Sequence, residues 1–293
     1  MEDAGAHKIR SLSEFVDCVR EMRQSWSVAD HEELWFRGEN RDYEHLRLRP
    51  ALYRPNERQQ LKPTDDLLDI EYRLHKDFQA NAPVFMTDPV DYEFWEWDSY
   101  LLFQHHGGAT RLLDWSDGAM IALQFAVGDP RDDISSGDAI VYVVSWSRLK
   151  EKIDCSTDGS GLPARWRDYV GDLKSKGATD FKEEEFEDAY LPGDKDDRRQ
   201  FAIPSVPIIL EFPRFTRRVA AQRSQLVLFG SDPEFFDREY CETDSTIGSI
   251  QIDAAHRRQI RRELRDAGVT ESVIFPDLDG LGRELKLRWL DQK

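Results

Sequence analysis

Only three cysteines occur in the 293 residues, Cys18, Cys155 and Cys241, and no two of them stand in a Cys-x-x-Cys spacing. An odd, scattered set of this kind gives no disulfide framework, and plain thiols in a reducing compartment are expected. Also missing is an apolar run long enough to cross a bilayer. The first residues, Met1 to His7, lack the basic start and greasy stretch of a secretory leader, so a cytoplasmic protein with no membrane partner is expected. Basic residues are in deficit: 40 Lys and Arg stand against 57 Asp and Glu, a formal net charge of −17. That balance disfavours non-specific binding to DNA, RNA or anionic lipid, whose affinity comes chiefly from neutralised phosphates. The basic run from His256 through Arg265 reads as the solvated face of a helix.

Several catalytic signatures are absent as well. The chain has no Walker loop, Gly-x-Gly-x-x-Gly, Gly-x-Ser-x-Gly elbow, His-Glu-x-x-His helix or kinase motif set. His105 and His106 are adjacent, and neighbours on a helix diverge too far to ligate one ion together. Asp277, Asp279 and Gly280 imitate part of a calcium loop without its length or its closing Glu. No metal is expected.

What is present is a globular composition, 40% apolar with eight Trp and sixteen Phe. The class expected is α+β, a single domain over 8–293 with a central mixed sheet flanked by helices. Residues 1–7 read as a disordered tail, and the Gly- and charge-rich stretch 150–200, with Glu183–Glu185 and Asp194–Asp197, reads as an acidic insertion. Ser11 and Glu14 form a capping box for a first amphipathic helix ending near Gln24. Pro63–Asp66, with a capping Thr64 hydroxyl and two acids, starts a second helix reaching about Ala80, on which Leu67, Leu74 and Phe78 share a face with Glu71. An aromatic helix follows from about Val90 to His106, stopped by Gly107-Gly108, and Ser116-Asp117 caps a third that is apolar on nearly every side. Leu34–Phe36, Ala139–Val144, Ile208–Leu210, Leu226–Phe229 and Gly248–Ile252 read as strands, Ala109–Trp115 as extended chain. A basic helix through Leu264 and a last helix through Trp289 close the chain.

Two segments carry the candidate chemistry: Trp35-Phe36-Arg37-Gly38 and Gln104–Trp115, the latter containing Thr110-Arg111-Leu112-Leu113-Asp114-Trp115. Arg37 stands at a strand exit, where a guanidinium fork can hold phosphate or ribose oxygens, and Gly38 would let a ligand approach the backbone. A carboxylate on an inward helix face, Glu71, needs a partner. The same residues admit another reading, a buried ionic network in which Arg37 and Arg111 pair with Glu71 and Asp114 to fix the packing.

These segments resemble the FRG domain family, named for the tripeptide that Phe36, Arg37 and Gly38 match. The likeness continues through Arg218–Gln222, Leu264–Gly268, Phe275–Leu278 and Gly280. A strand-end Phe-Arg-Gly is also similar to the first motif of arginine-type ADP-ribosyltransferases, in which the arginine grips NAD. That resemblance implies an ADP-ribosyltransferase-like core with NAD as substrate. Phe36, Arg37 and Gly38 would bind it, His105 would contact the ribose, Thr110 would brace the site, Arg111 and Asp114 would form the opposite wall, and Trp115 would offer a stacking face. Glu71 would stabilise the sugar cation, because Gln222 stands where the class has a catalytic Glu and no Ser-Thr-Ser run is present.

The family resemblance further implies a bacterial toxin or phage-defence effector that modifies a protein or nucleic-acid target or hydrolyses NAD, with a protein partner or antitoxin. Two alternatives stay open: a non-catalytic module that senses a nucleotide or engages a protein through its acidic surface, and a metal-dependent nuclease using Asp114 and Glu71.

Overall fold

The computed structural model describes residues 8–43, 46–55, 62–86, 97–128, 137–155, 190–193, 203, 205–210, 217–241 and 246–290. The expected tail 1–7, the expected start of the aromatic helix at 90–96 and most of the expected insertion, with its Glu183–Glu185 run, lie outside the described residues.

Six strands, β1 (Leu34–Glu39), β2 (Leu112–Ser116), β3 (Ala139–Ser145), β4 (Ile208–Leu210), β5 (Ser224–Leu228) and β6 (Ile247–Ile252), form one sheet in the order β4-β5-β2-β1-β3-β6. The α+β class and the central sheet agree with the sequence reading. The sheet was expected to be mixed, yet every pairing between its strands is antiparallel. Among the described residues the parallel element is a bridge from Ile9 to Ile252. Continuous apolar runs such as Ala139–Val144 suit any strand covered on both faces, so they carry no information on direction. That coverage is real: Val141 and Val143 enter one core cluster, Ile140, Tyr142 and Val144 another.

Ten α-helices are described: α1 (Leu12–Ser25), α2 (Thr64–Asn81), α3 (Trp97–His105), α4 (Ala119–Val127), α5 (Trp146–Cys155), α6 (Arg217–Ala221), α7 (Phe235–Cys241), α8 (Arg257–Asp266), α9 (Glu271–Ile274) and α10 (Leu278–Trp289). Ser11 caps α1 by accepting from the Glu14 amide, as the capping box predicts. Two other caps differ from expectation. Pro63 is the N-cap of α2, so the Thr64 hydroxyl lies inside the helix and makes no cap bond. Gly118 caps α4, while Ser116 Oγ accepts from the Gly118 amide at 3.1 Å and steadies the turn before it.

The helices cover the sheet in blocks. On one face α1, α4 and α8 bury Phe15, Leu123, Ala126, Ile260 and Leu264 against Phe36, Val141 and Val143. Leu68 of α2 and Tyr100 and Leu101 of α3 pack on Leu112, Leu210 and Leu228. On the opposite face α5 and α7 bring Leu149 and Phe236 against Trp35, Leu113 and Trp115. Strand alternation places Leu112, Asp114 and Ser116 on the same face of β2. Leu112 is covered by the α2–α3 block, whereas Asp114 stays exposed.

Gly38 explains why α4 can lie so close. A Cβ on it would fall 1.8 Å from the carbonyl oxygen of Ala122 and 2.8 Å from the amide nitrogen of Ala126. The missing side chain is thus required by helix-on-strand packing, a different reason from the ligand approach read from the sequence. No helix among the described residues is long and apolar enough to cross a membrane.

Candidate functional site

The sheet comes apart at its centre. β1 shares six register pairs with β3 but a single one, Phe36 with Ser116, with β2. Beyond that pair the two strands diverge, and a cavity of about 280 Å³ occupies the gap. Phe36, Arg37 and Gly38 of β1 and Asp114, Trp115 and Ser116 of β2 line it. Leu101, Gln104 and His105 from α3 form one side, Ala122 and Phe125 from α4 another. Arg218, Val219 and Gln222, at and just beyond α6, complete the wall with Ser224 and Leu226 of β5. The two distant segments singled out in the sequence do meet here.

Arg37 spans the gap. Its Nη1 donates to the backbone carbonyl of Asp114 at 2.6 Å and its Nε to Glu39 Oε1 at 3.0 Å. Glu39 Oε1 also accepts from Arg54 Nη2 at 3.2 Å, and its Oε2 is buried without a hydrogen-bond partner. Across the cleft Gln104 Nε2 donates to Asp114 Oδ2 at 2.7 Å, and the Thr110 hydroxyl donates to Gln104 Oε1. The Asp114 carboxylate is therefore aimed by Gln104, which is aimed by Thr110.

His105 ends α3, where Gly107 at φ +84° turns the chain out of the helix. Burial holds its imidazole below the usual histidine range, Arg218 and His106 push it further down, and Asp114 and Asp277 oppose them. It is thus mainly the neutral ring at pH 7. Gln222 is fixed at the sharp turn between α6 and β5: its carbonyl accepts from Ser116 Oγ at 2.8 Å, and Arg223 beside it takes a left-handed φ of 50°. The Gln222 side-chain Nε2 is buried with no partner, an unsatisfied donor in the wall of the cleft.

Three of the expected site residues do not line the cleft. Glu71 and Arg111 are fully buried as an ion pair, Nε to Oε2 at 2.6 Å. The Arg111 amide donates to Glu71 Oε1 at 2.9 Å, as does the Tyr100 hydroxyl at 2.5 Å. Arg111 Nη1 and Nη2 donate to the carbonyls of Phe229 and Tyr190. Although burial favours the neutral guanidinium, Glu71 beside it holds Arg111 above its usual range, while burial raises the Tyr100 hydroxyl well above its own. With every nitrogen engaged and no exposed surface, Arg111 with Glu71 forms one half of the rival packing network, whereas Arg37 pairs with Glu39 and the Asp114 carboxylate stays outside it. Thr110 is likewise sealed and acts through Gln104. The α2 face is more polar than periodicity implied: Leu68, Glu71, His75 and Gln79 are buried and Leu74 is exposed.

Trp115 lines the cleft but is 2% exposed and packs on Phe236 in the core, so it offers no open stacking face. Phe125, 41% exposed, does. Phe125, Gln104 and Arg218 carried no role in the sequence reading. Phe125 was hidden in a helix apolar on nearly every side, where no period marks an outward face. Arg218 and Gln104 stood within motif segments without chemistry assigned to them. Asp114 and Glu71, joined in the nuclease alternative, are separated by this geometry. Among the described residues no group of three His, Cys, Asp or Glu could hold a metal ion.

Comparison with curated proteins and with solved structures gives no match. One family model does match. It covers residues 32–134, from the approach to β1 through the end of α4. Arg218, Gln222 and Phe275 lie beyond the matched stretch. The model is that of the FRG domain, and the matched residues 32–134 hold both segments that meet at the split in the sheet.

Proposed function

We propose that the cleft binds a phosphorylated ribonucleotide, NAD before others, and serves ADP-ribosyl transfer to a macromolecule or hydrolysis of NAD. The observation that carries this reading is one gap in the sheet lined by a guanidinium, an aimed carboxylate, a neutral imidazole and an exposed aromatic ring. Its volume of about 280 Å³ is on the scale of a mononucleotide half rather than a whole dinucleotide. Cleavage of the nicotinamide–ribose bond develops positive charge on the sugar. Asp114, the carboxylate that lines the cleft, takes the stabilising role first read for Glu71. The neutral His105 ring can hydrogen-bond a ribose hydroxyl. A chain with this activity would act as a toxin or defence effector by modifying its target or depleting NAD.

The test is nicotinamide release from NAD by the wild-type chain and by Asp114→Asn, with and without cell lysate as acceptor. Release lost in the variant supports the reading; none from the wild type under any condition removes the enzymatic part.

Gln222 favours a second reading, nucleotide sensing without turnover. Its amide donor faces no partner and carries no charge, which suits holding a ligand more than stabilising a cation. Saturable binding of NAD without release of nicotinamide would select this reading over the first.

A further inference from the structure

The cleft contains two arginines, and their circumstances differ. Arg37 donates Nε to the Glu39 carboxylate and Nη1 to the Asp114 carbonyl, which closes its Nε edge to a bidentate hold on a ligand. Arg218 has no ion pair among the described residues, in a chain where 57 acids outnumber 40 Lys and Arg. An aromatic ring holds it instead: its guanidinium carbon lies 4.7 Å from the centroid of Phe275. Phe275 packs edge-on against Phe125 at 5.8 Å and is flanked by Arg283 at 4.6 Å. Arg283 is paired with Glu271 at 3.1 Å and does not line the cleft.

A partly buried guanidinium with no ion-pair partner among the described residues carries a desolvation cost that an anionic ligand would offset. The ring fixes its position, so little side-chain freedom is lost on binding. We propose that Arg218, seated on Phe275, is the anion subsite of the cleft and takes a phosphate of the ligand, while Arg37 braces the split sheet. The inference rests on the nucleotide reading of the same cleft and moves the phosphate contact from the Phe-Arg-Gly arginine to one outside the matched stretch.

Inorganic pyrophosphate tests it without a nucleotide. The full chain is titrated at constant ionic strength by calorimetry, with the His105 imidazole followed by NMR as a local probe facing Arg218, His106, Asp114 and Asp277. The wild type is expected to bind saturably, with the His105 pKa rising as the anion offsets Arg218. Arg218→Gln should weaken binding at least about tenfold and abolish that rise. Arg283→Gln, which removes a cation from the same ring outside the cleft, should bind as the wild type does. Arg218→Lys, which keeps the charge, should retain part of the affinity and covers the case in which the Gln variant folds poorly. Absence of saturable binding by the wild type, or unchanged affinity in Arg218→Gln, overturns the subsite. If pyrophosphate binds through Arg218 but AMP, ADP-ribose and NAD bind no more tightly than pyrophosphate, the nucleotide reading fails and the subsite stands.

Discussion

Arg37 donates a side-chain hydrogen bond to the backbone carbonyl of Asp114 at 2.6 Å, across the place where the β1–β2 ladder is a single register pair. A guanidinium here stands in for the strand-to-strand bonds that the opening of the cleft removes. The same side chain is one of two cations on the nearly buried Glu39. Arg37→Met should therefore destabilise the fold by about 2 kcal/mol or more, the range for hydrogen bonds to charged groups. Urea denaturation measures the loss, and hydrogen exchange should locate it in the amides of β1 and β2. An unchanged midpoint would show that the ladder with β3 suffices.

Glu71 and Arg111 should behave as structural residues. Removing one partner of a fully buried pair leaves a charge without compensation, so Arg111→Met is expected to cost about 3–5 kcal/mol. Any folded fraction should keep wild-type nucleotide affinity per folded molecule, because neither group lines the cleft. Stability near wild type with affinity lost would return the pair to the site.

Gly38→Ala tests the packing reason for the glycine. With the new Cβ 1.8 Å from the Ala122 carbonyl oxygen, α4 must move, at a cost of at least about 3 kcal/mol, the upper end for overpacking. Phe125 moves with α4, so affinity should fall together with stability. Tolerance of alanine with ligand binding alone impaired would instead favour close approach of a ligand.

His75 gives the fold an acid limit. Its Nε2 meets Ser99 Oγ at 2.8 Å, Gln79 donates to the same hydroxyl at 2.9 Å, and burial lowers its pKa to about 4. Lys76 adds to the depression. A folded pKa below the unfolded value of 6.5 means that the unfolded chain binds more protons in that window. The stability contributed by the neutral ring is therefore complete above pH 6.5 and declines as pH falls towards about 4, by roughly 3 kcal/mol in all. Denaturation midpoints across this range should show the decline, and His75→Gln should flatten it.

The sequence by itself determined the class, the strands and most helix ends, because local chemistry decides these. Ser11 with Glu14 caps α1, Gly107 stops α3, and the β-branched run of β3 is buried throughout. It also picked out Phe36, Arg37, Gly38, His105, Asp114 and Gln222, all of which line the cleft. It could not tell which of two arginines, Arg37 and Arg111, and which of two carboxylates line the cleft. Arg37 within β1 and Arg111 just before β2 both stand in extended chain beside apolar residues, and Glu71 and Asp114 each sit among apolar neighbours. Only the tertiary structure sealed Glu71 with Arg111 and left Asp114 open, because whether a charge meets solvent depends on which helix block covers its stretch of sheet. Register decided the rest: β1 and β2 part after one pair, and that divergence, which no local periodicity encodes, makes the cleft.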